Sequence, residues 1–185
     1  MRFVGIDPAS TTGFVALDIT GAWVKAKELT GVGSETPRKI RTLHDEILLH
    51  LHADDQVAIE GFALEAADTN KVSSGCNWAA RLAADRKVGG FNVAETTQLK
   101  KFVNVSEWTG VKGSKKRLKG KQVKELVKAA VTEHWGFNPK TDNIADAYVL
   151  AQISLGLYRL KSGLPLDEYK PYQLEVLHKI AEKAS

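Results

Sequence analysis

The sequence has a single cysteine, Cys76, among its 185 residues. That excludes an internal disulfide and leads us to expect a reducing, cytoplasmic setting. No apolar run approaches the roughly 18 residues a membrane-spanning helix needs, so no membrane partner is expected. The opening residues, MRFVGIDPAS, lack the separate apolar core and cleavage site of a signal peptide and run straight into a strand-like segment. Histidine is also scarce. His44, His50 and His52 lie on or after an amphipathic segment without cysteine partners, which excludes a zinc pattern and leaves them as surface residues. There is no internal repeat and no low-complexity tract.

What is present is ordinary in amount and unusual in placement. Hydrophobic residues make up 43% and charged residues 26% of the chain, enough for one globular domain with a substantial core. The formal net charge is only +4. Yet Lys100 to Lys128 holds ten Lys or Arg against two acids, Glu107 and Glu125, and the rest of the chain holds sixteen against twenty. A cationic segment on an otherwise mildly acidic protein, with no bulky apolar anchors beside it, suits a polyphosphate partner. A solvated basic loop is the plainer alternative.

Three short apolar stretches, Phe3 to Ile6, Phe14 to Leu17 and Trp23 to Leu29, separated by turn-prone residues, predict an antiparallel meander. Ile40, Leu43, Ile47 and Leu51 recur at helical spacing within residues 35–52. Val57-Ala58-Ile59 reads as a buried strand, followed by a helix from about Asn70 to Arg86 and a short strand near Phe91 to Ala94. A basic loop with Gly110, Gly113 and Gly120 feeds a helix from about Lys121 to Trp135, which Gly136 and Pro139 end. Another helix spans about Asn143 to Leu160, and Pro165 and Pro171 lead to a short last one. The order predicts an α/β sandwich with a mixed sheet over residues 1–161 and a C-terminal helical extension over 162–185.

Two of the apolar strands end in carboxylates, Asp7 and Glu60. As parallel neighbours in one sheet, they would emerge at the carboxyl edge, where open α/β sheets bind ligands. Asp146 sits near the start of a long apolar helix whose small neighbours Ala145 and Ala147 permit close approach to the sheet, and Asp142 lies one turn earlier. Converging carboxylates repel unless a hard dication relieves them. Two such ions about 4 Å apart can activate a water and stabilise the leaving oxygen in phosphodiester hydrolysis. Taken singly each acid has a plainer role: Asp7 initiating a turn, Glu60 a solvated strand end, Asp142 capping a helix. The combination points to chemistry.

The run Gly5-Ile6-Asp7-Pro8-Ala9-Ser10-Thr11-Thr12-Gly13 resembles the opening of RuvC-type Holliday-junction resolvases, with Ala9 where the family usually has glycine. Ala58-Ile59-Glu60 is similar to the second family motif and Ala145-Asp146-Ala147 to the last, and the likeness spans most of residues 1–155. The C-terminal extension looks more like phage-encoded members. The resemblance implies a ribonuclease-H-like fold, with a five-stranded mixed sheet of three antiparallel and then parallel strands flanked by helices. It implies a homodimer that nicks branched DNA symmetrically at four-way junctions, using two Mg2+ ions per site, with Mn2+ an alternative. Asp7, Glu60 and Asp146 carry over as metal ligands. The fourth ligand position falls on Asn143, and Asp142, one residue earlier, is the expected substitute because it brings a full charge. Lys100 matches a catalytic lysine beside the scissile phosphate, and Lys121 or Lys119 a second. Lys101, Lys112, Lys115, Lys116 and Arg117 fall in the DNA-contacting region. Phe62 lies where members carry a junction-probing aromatic, a core role being the alternative, and Trp78 is a candidate dimer anchor.

Gly-Ile-Asp followed by Ser/Thr and Gly also resembles the first phosphate motif of actin-like ATPases and sugar kinases, which need two such domains and a much longer chain. A nuclease with broader taste for forks and flaps in phage genome maturation is a closer rival. A non-catalytic nucleic-acid-binding relative of the same fold is a further one, against which the complete acidic set argues.

Overall fold

The structure, a computed structural model, describes residues 1–62, 71–111 and 113–183. Its frame is a five-stranded sheet. β1 (Phe3–Asp7), β2 (Thr11–Leu17) and β3 (Trp23–Thr30) form the expected antiparallel meander; β4 (Gln56–Glu60) and β5 (Asn92–Ala94) extend it on the other side of β1, giving the order β3-β2-β1-β4-β5. β4 runs parallel to β1, with Gly5 opposite Ala58 and Ile6 opposite Ile59, and β5 runs parallel to β4.

Every residue of β1 is buried, as befits a central strand covered on both faces. Because side chains alternate along a strand, Val4 and Ile6 enter one core and Phe3 enters the other. The first core is closed by α1 (Thr36–His50) and α2 (Val72–Val88), with Leu43, Ile47, Ala80 and Ala83 packed on the sheet. The start of the expected Asn70–Arg86 helix falls partly outside the described residues.

The second face carries α5 (Asp142–Lys161). Every position from Ile144 to Leu157 except Asp146 is buried, because α5 is sandwiched between the sheet and three other helices. These are α3 (Thr96–Phe102), α4 (Gly120–Trp135) and α6 (Pro171–Lys183). α6 shares this core through Val176, Leu177 and Ile180, and Gln173 Nε2 donates to the Phe102 carbonyl at 3.2 Å.

Two glycines decide how close α5 comes. A Cβ on Gly5 would lie 2.0 Å from the Ala147 carbonyl oxygen, and one on Gly13 would lie 2.0 Å from that of Asn143. Neither obstacle is a movable side chain. The absence of side chains on β1 and β2 thus seats the helix, with Ala147 lying between them.

The basic segment is more ordered than the expected loop. It begins in α3, whose Glu95 and Gln98 form a capping box: the Gln98 Oε1 accepts from the Glu95 N–H at 2.8 Å, and the Glu95 side chain accepts from the backbone of Gln98. It continues into a small antiparallel hairpin, β6 (Trp108–Thr109) and β7 (Lys116–Arg117). Two turns of helix and two residue pairs are too short to leave a periodic signature, so local pattern alone reads them as loop.

Candidate active site

Asp7 and Glu60 end the parallel neighbours β1 and β4, on the face turned towards α5. From α5, Asp146 joins them in a cleft of about 640 Å³ at the carboxyl edge of the sheet. Lys100 of α3, Arg117 of the hairpin, Lys124 of α4 and Phe62 complete its rim.

The electrostatics follow from burial. Asp7 is 7% exposed, and burial, then the charge of Glu60 and a hydrogen bond with it, then the charge of Asp146, push its carboxyl well above the ordinary range. Lys124 opposes this. Asp146 is pushed up to about 7, by burial first and by Glu60 next, with Lys124 and Lys100 pulling back and Asp142 adding to the rise. Glu60 is held from two sides. Thr96 Oγ1 donates to its Oε1 at 2.6 Å. Asn77, buried on α2, donates to its backbone carbonyl at 3.0 Å and accepts from Arg81 Nε at 2.6 Å. Arg81 in turn lies over the Phe62 ring, 4.5 Å from its centroid, and Phe62 meets Trp78 at 5.5 Å. Trp78 itself is 55% exposed on α2.

Of the cations expected at the site, Lys100 and Arg117 line the cleft and share one carboxylate. Glu107 accepts from Lys100 through Oε1 and from Arg117 through Oε2 at 3.0 Å, and the two cations hold its carboxyl below the usual range. Lys101 points elsewhere, to Glu175 on α6. Lys115, Lys116, Lys119 and Lys121 are exposed along the hairpin and the start of α4. Lys112 lies outside the described residues.

Asp142, expected to be the fourth ligand, is placed on Lys124. The ion pair lowers the Asp142 carboxyl and raises the Lys124 ammonium, each chiefly through the hydrogen bond between them. The helix cap is Thr141, whose hydroxyl accepts from the Ile144 N–H at 3.3 Å, so Asp142 is the first helical residue. Asn143 lines the cleft beside Asp146.

Thr96, Asn77, Glu107 and Lys124 are site residues that sequence reasoning missed. Lys124 had a signal, since it shares the cationic face of α4 with Lys121 and Lys128. Asn77 had none: a buried amide within an alanine-rich helix acquires its role only from the strand end it meets.

The donor set suits a hard divalent cation. Three carboxylates converge, and no histidine or cysteine among the described residues lines the cleft. Lys124, whose ammonium pulls on both aspartates, is itself committed to Asp142. Elsewhere, His52, Asp54 and Asp55 bring ligand atoms within 4.8 Å of one another. They lie at the opposite end of β4, where Asp55 takes two of the three guanidinium bonds of Arg2 and Asp54 pairs with the N-terminal amine. That group is an ion-pair cluster whose carboxylates are already used.

A mixed sheet of three antiparallel and two parallel strands, with helices on both faces and acids at the carboxyl ends of β1 and β4, is the ribonuclease-H-like fold. Among solved structures the chain is similar to Thermus thermophilus RuvC in complex with a Holliday junction substrate, at TM-score 0.62 and 19% identity over 88% of this chain and 97% of that one. It is likewise similar to the Thermus thermophilus RuvC structure, at TM-score 0.60 and 20% identity with the same coverage. At these identities the likeness is one of fold. No protein-family model and no curated protein sequence matches the chain. No helix among the described residues is long and apolar enough to cross a membrane.

Proposed function

We propose that this protein is a metal-dependent, structure-selective endonuclease that resolves four-way DNA junctions by paired phosphodiester hydrolysis. The observation that carries the proposal is the convergence of Asp7, Glu60 and Asp146 in one cleft with Lys100, on a fold whose solved relative is bound to a Holliday junction. Asp7, Glu60 and Asp146 would hold Mg2+, or Mn2+ in its place. Bound dications supply charge neutralisation at the scissile phosphate and acidity to the attacking water.

The chain's own groups do the rest. Thr96 and Asn77 fix Glu60 at the strand end, so its carboxylate is set before substrate arrives. Lys100 and Arg117 are poised to exchange Glu107 for a DNA phosphate, since both carboxylate and phosphate are oxygen anions of similar reach. Phe62, steadied by Arg81 and Trp78, offers an aromatic face beside the acids on which an unpaired base could stack. Because a junction needs two opposed cuts, the working unit would be a two-fold dimer.

The test is to incubate the protein with labelled four-way junction, fork, linear duplex and RNA–DNA hybrid, with and without Mg2+. We expect paired, Mg2+-dependent nicks in the junction, with linear duplex left intact. Equal cutting of forks and flaps would replace junction resolution with general debranching. No cutting of any DNA with either Mg2+ or Mn2+ would overturn the enzyme.

A further inference from the structure

We propose that Glu28, on β3, is a positioning residue that makes Asn143 a neutral oxygen donor to the metal site; this rests on the metal-dependent reading above. The starting point is register. Asp7 on β1 lies opposite Gly13 on β2, and Gly13 lies opposite Glu28 on β3. The side chains of Asp7 and Glu28 therefore project from the same face, with a strand position between them that has no side chain at all. The first turn of α5 descends into that gap, which is why a Cβ on Gly13 would strike the Asn143 carbonyl.

There Glu28 Oε1 accepts two hydrogen bonds, from Thr141 Oγ1 at 2.7 Å and from Asn143 Nδ2 at 3.1 Å. A carboxylate can only accept, so the amide must present its nitrogen to Glu28 and turn its oxygen away. The Thr141 hydroxyl is fixed by the same logic: it donates to Glu28 and accepts from the Ile144 N–H. Asn143 lines the cleft three residues before Asp146, so both lie on one face of α5. The competing carboxylate, Asp142, is held by Lys124. Three carboxylates and one oriented amide give the site less negative charge than four carboxylates would. Glu28 keeps its own charge a row behind, directed at the amide nitrogen.

The inference is tested by titrating Mn2+ into the full-length protein without DNA, following free Mn2+ by electron paramagnetic resonance, with melting curves alongside. Glu28→Gln should weaken Mn2+ binding about tenfold, because a glutamine no longer dictates which end of the Asn143 amide faces it. Asn143→Ala should weaken it similarly, and adding Glu28→Gln to Asn143→Ala should cost nothing more. Asn143→Asp sets a carboxylate oxygen against Glu28, which needs a donor there, so it should tighten Mn2+ binding only when combined with Glu28→Gln, whose amide can donate to it. Asn143→Ala leaves Glu28 in place and keeps the test open if Glu28→Gln folds poorly. A Glu28→Gln protein that melts lower but binds Mn2+ normally would overturn the inference, as would additive losses in the double variant or unchanged affinity in Asn143→Ala. Asp7→Asn separates the two proposals. If it abolishes Mn2+ binding while the Glu28 and Asn143 variants do not alter it, only this inference fails; if the native protein binds no Mn2+, both fail.

Discussion

Asp146 and Asp7 are carboxyls whose folded environment favours the protonated form, and this gives the metal-free protein a pH dependence with a definite sign. A carboxyl raised on folding contributes stability that is fully present below its unfolded pKa and lost as pH rises through the folded one. For Asp146 that window runs from the ordinary carboxylate range up to about 7. The metal-free protein should therefore melt at a lower temperature near pH 8 than near pH 5.5, and Asp146→Asn should remove much of the difference. Mg2+ should raise the melting temperature more at the higher pH, where the carboxylates are charged. Differential scanning calorimetry at both pH values, with and without Mg2+, checks each part.

The same residues separate chemistry from folding. Asp7→Asn and Glu60→Gln should abolish cleavage while leaving the circular dichroism spectrum and the affinity for junction DNA close to native. Asp142→Asn should behave differently. Its carboxylate is spent on Lys124, so its removal should lower the cleavage rate by no more than about tenfold, an indirect effect on the cleft. A fall of several orders of magnitude in single-turnover cleavage would make Asp142 a metal ligand.

At the scale of elements, the seat of α5 is the most sensitive place in the fold. Gly13→Ala would drive a methyl into the Asn143 backbone, and the helix would have to lift, taking Asp146 with it. We expect a drop in stability on the order of 1–3 kcal/mol, or more where the backbone cannot yield, with cleavage reduced further than stability. Denaturant melts and cleavage assays on the same preparation distinguish the two. The hairpin carries a prediction of another kind. Neutralising Lys115, Lys116 and Lys119 should weaken binding to every DNA alike and flatten the slope of log affinity against log salt by about 0.9 for each phosphate the protein no longer neutralises.

The elements also show why some structure was legible and some was not. α1 and α4 are long enough for their apolar periods to be read directly, α5 is legible as a long apolar run, and Gly136 ends α4 in the left-handed conformation expected of a terminating glycine. α3 and the β6–β7 hairpin were hidden inside a segment dominated by lysine, although Glu95 and Gln98 held a capping signal for α3. The strand glycines Gly5 and Gly13 were visible too. Their role was not, because it depends on which helix packs across them.

For the molecule as a whole, the proposed two-fold dimer places two clefts on one junction. The exposed Trp78 and Leu82 on α2 are candidate apolar anchors for an isologous contact. Light scattering should return about twice the 20.2 kDa chain mass at micromolar concentration, and Trp78→Lys should return the single-chain mass. A native protein that stays at single-chain mass both free and bound to junction would rule the dimer out.

By itself the sequence determined the class of fold, because alternating and helical periods are local properties that survive without knowledge of the partners. It also determined the acids that end β1 and β4, since a carboxylate closing an apolar strand is visible within five residues. Only the tertiary structure decided what surrounds Asp142 and Asn143. Asp142 and Asn143 are adjacent and equally well placed by helical spacing, so nothing local distinguishes them. Lys124, 18 residues before Asp142 on another helix, pairs with the one, and Glu28, 115 residues before Asn143 on the edge of the sheet, accepts from the other. Charge pairing and hydrogen bonding act through space, and they give two neighbours in the chain different partners according to what the fold has brought beside each.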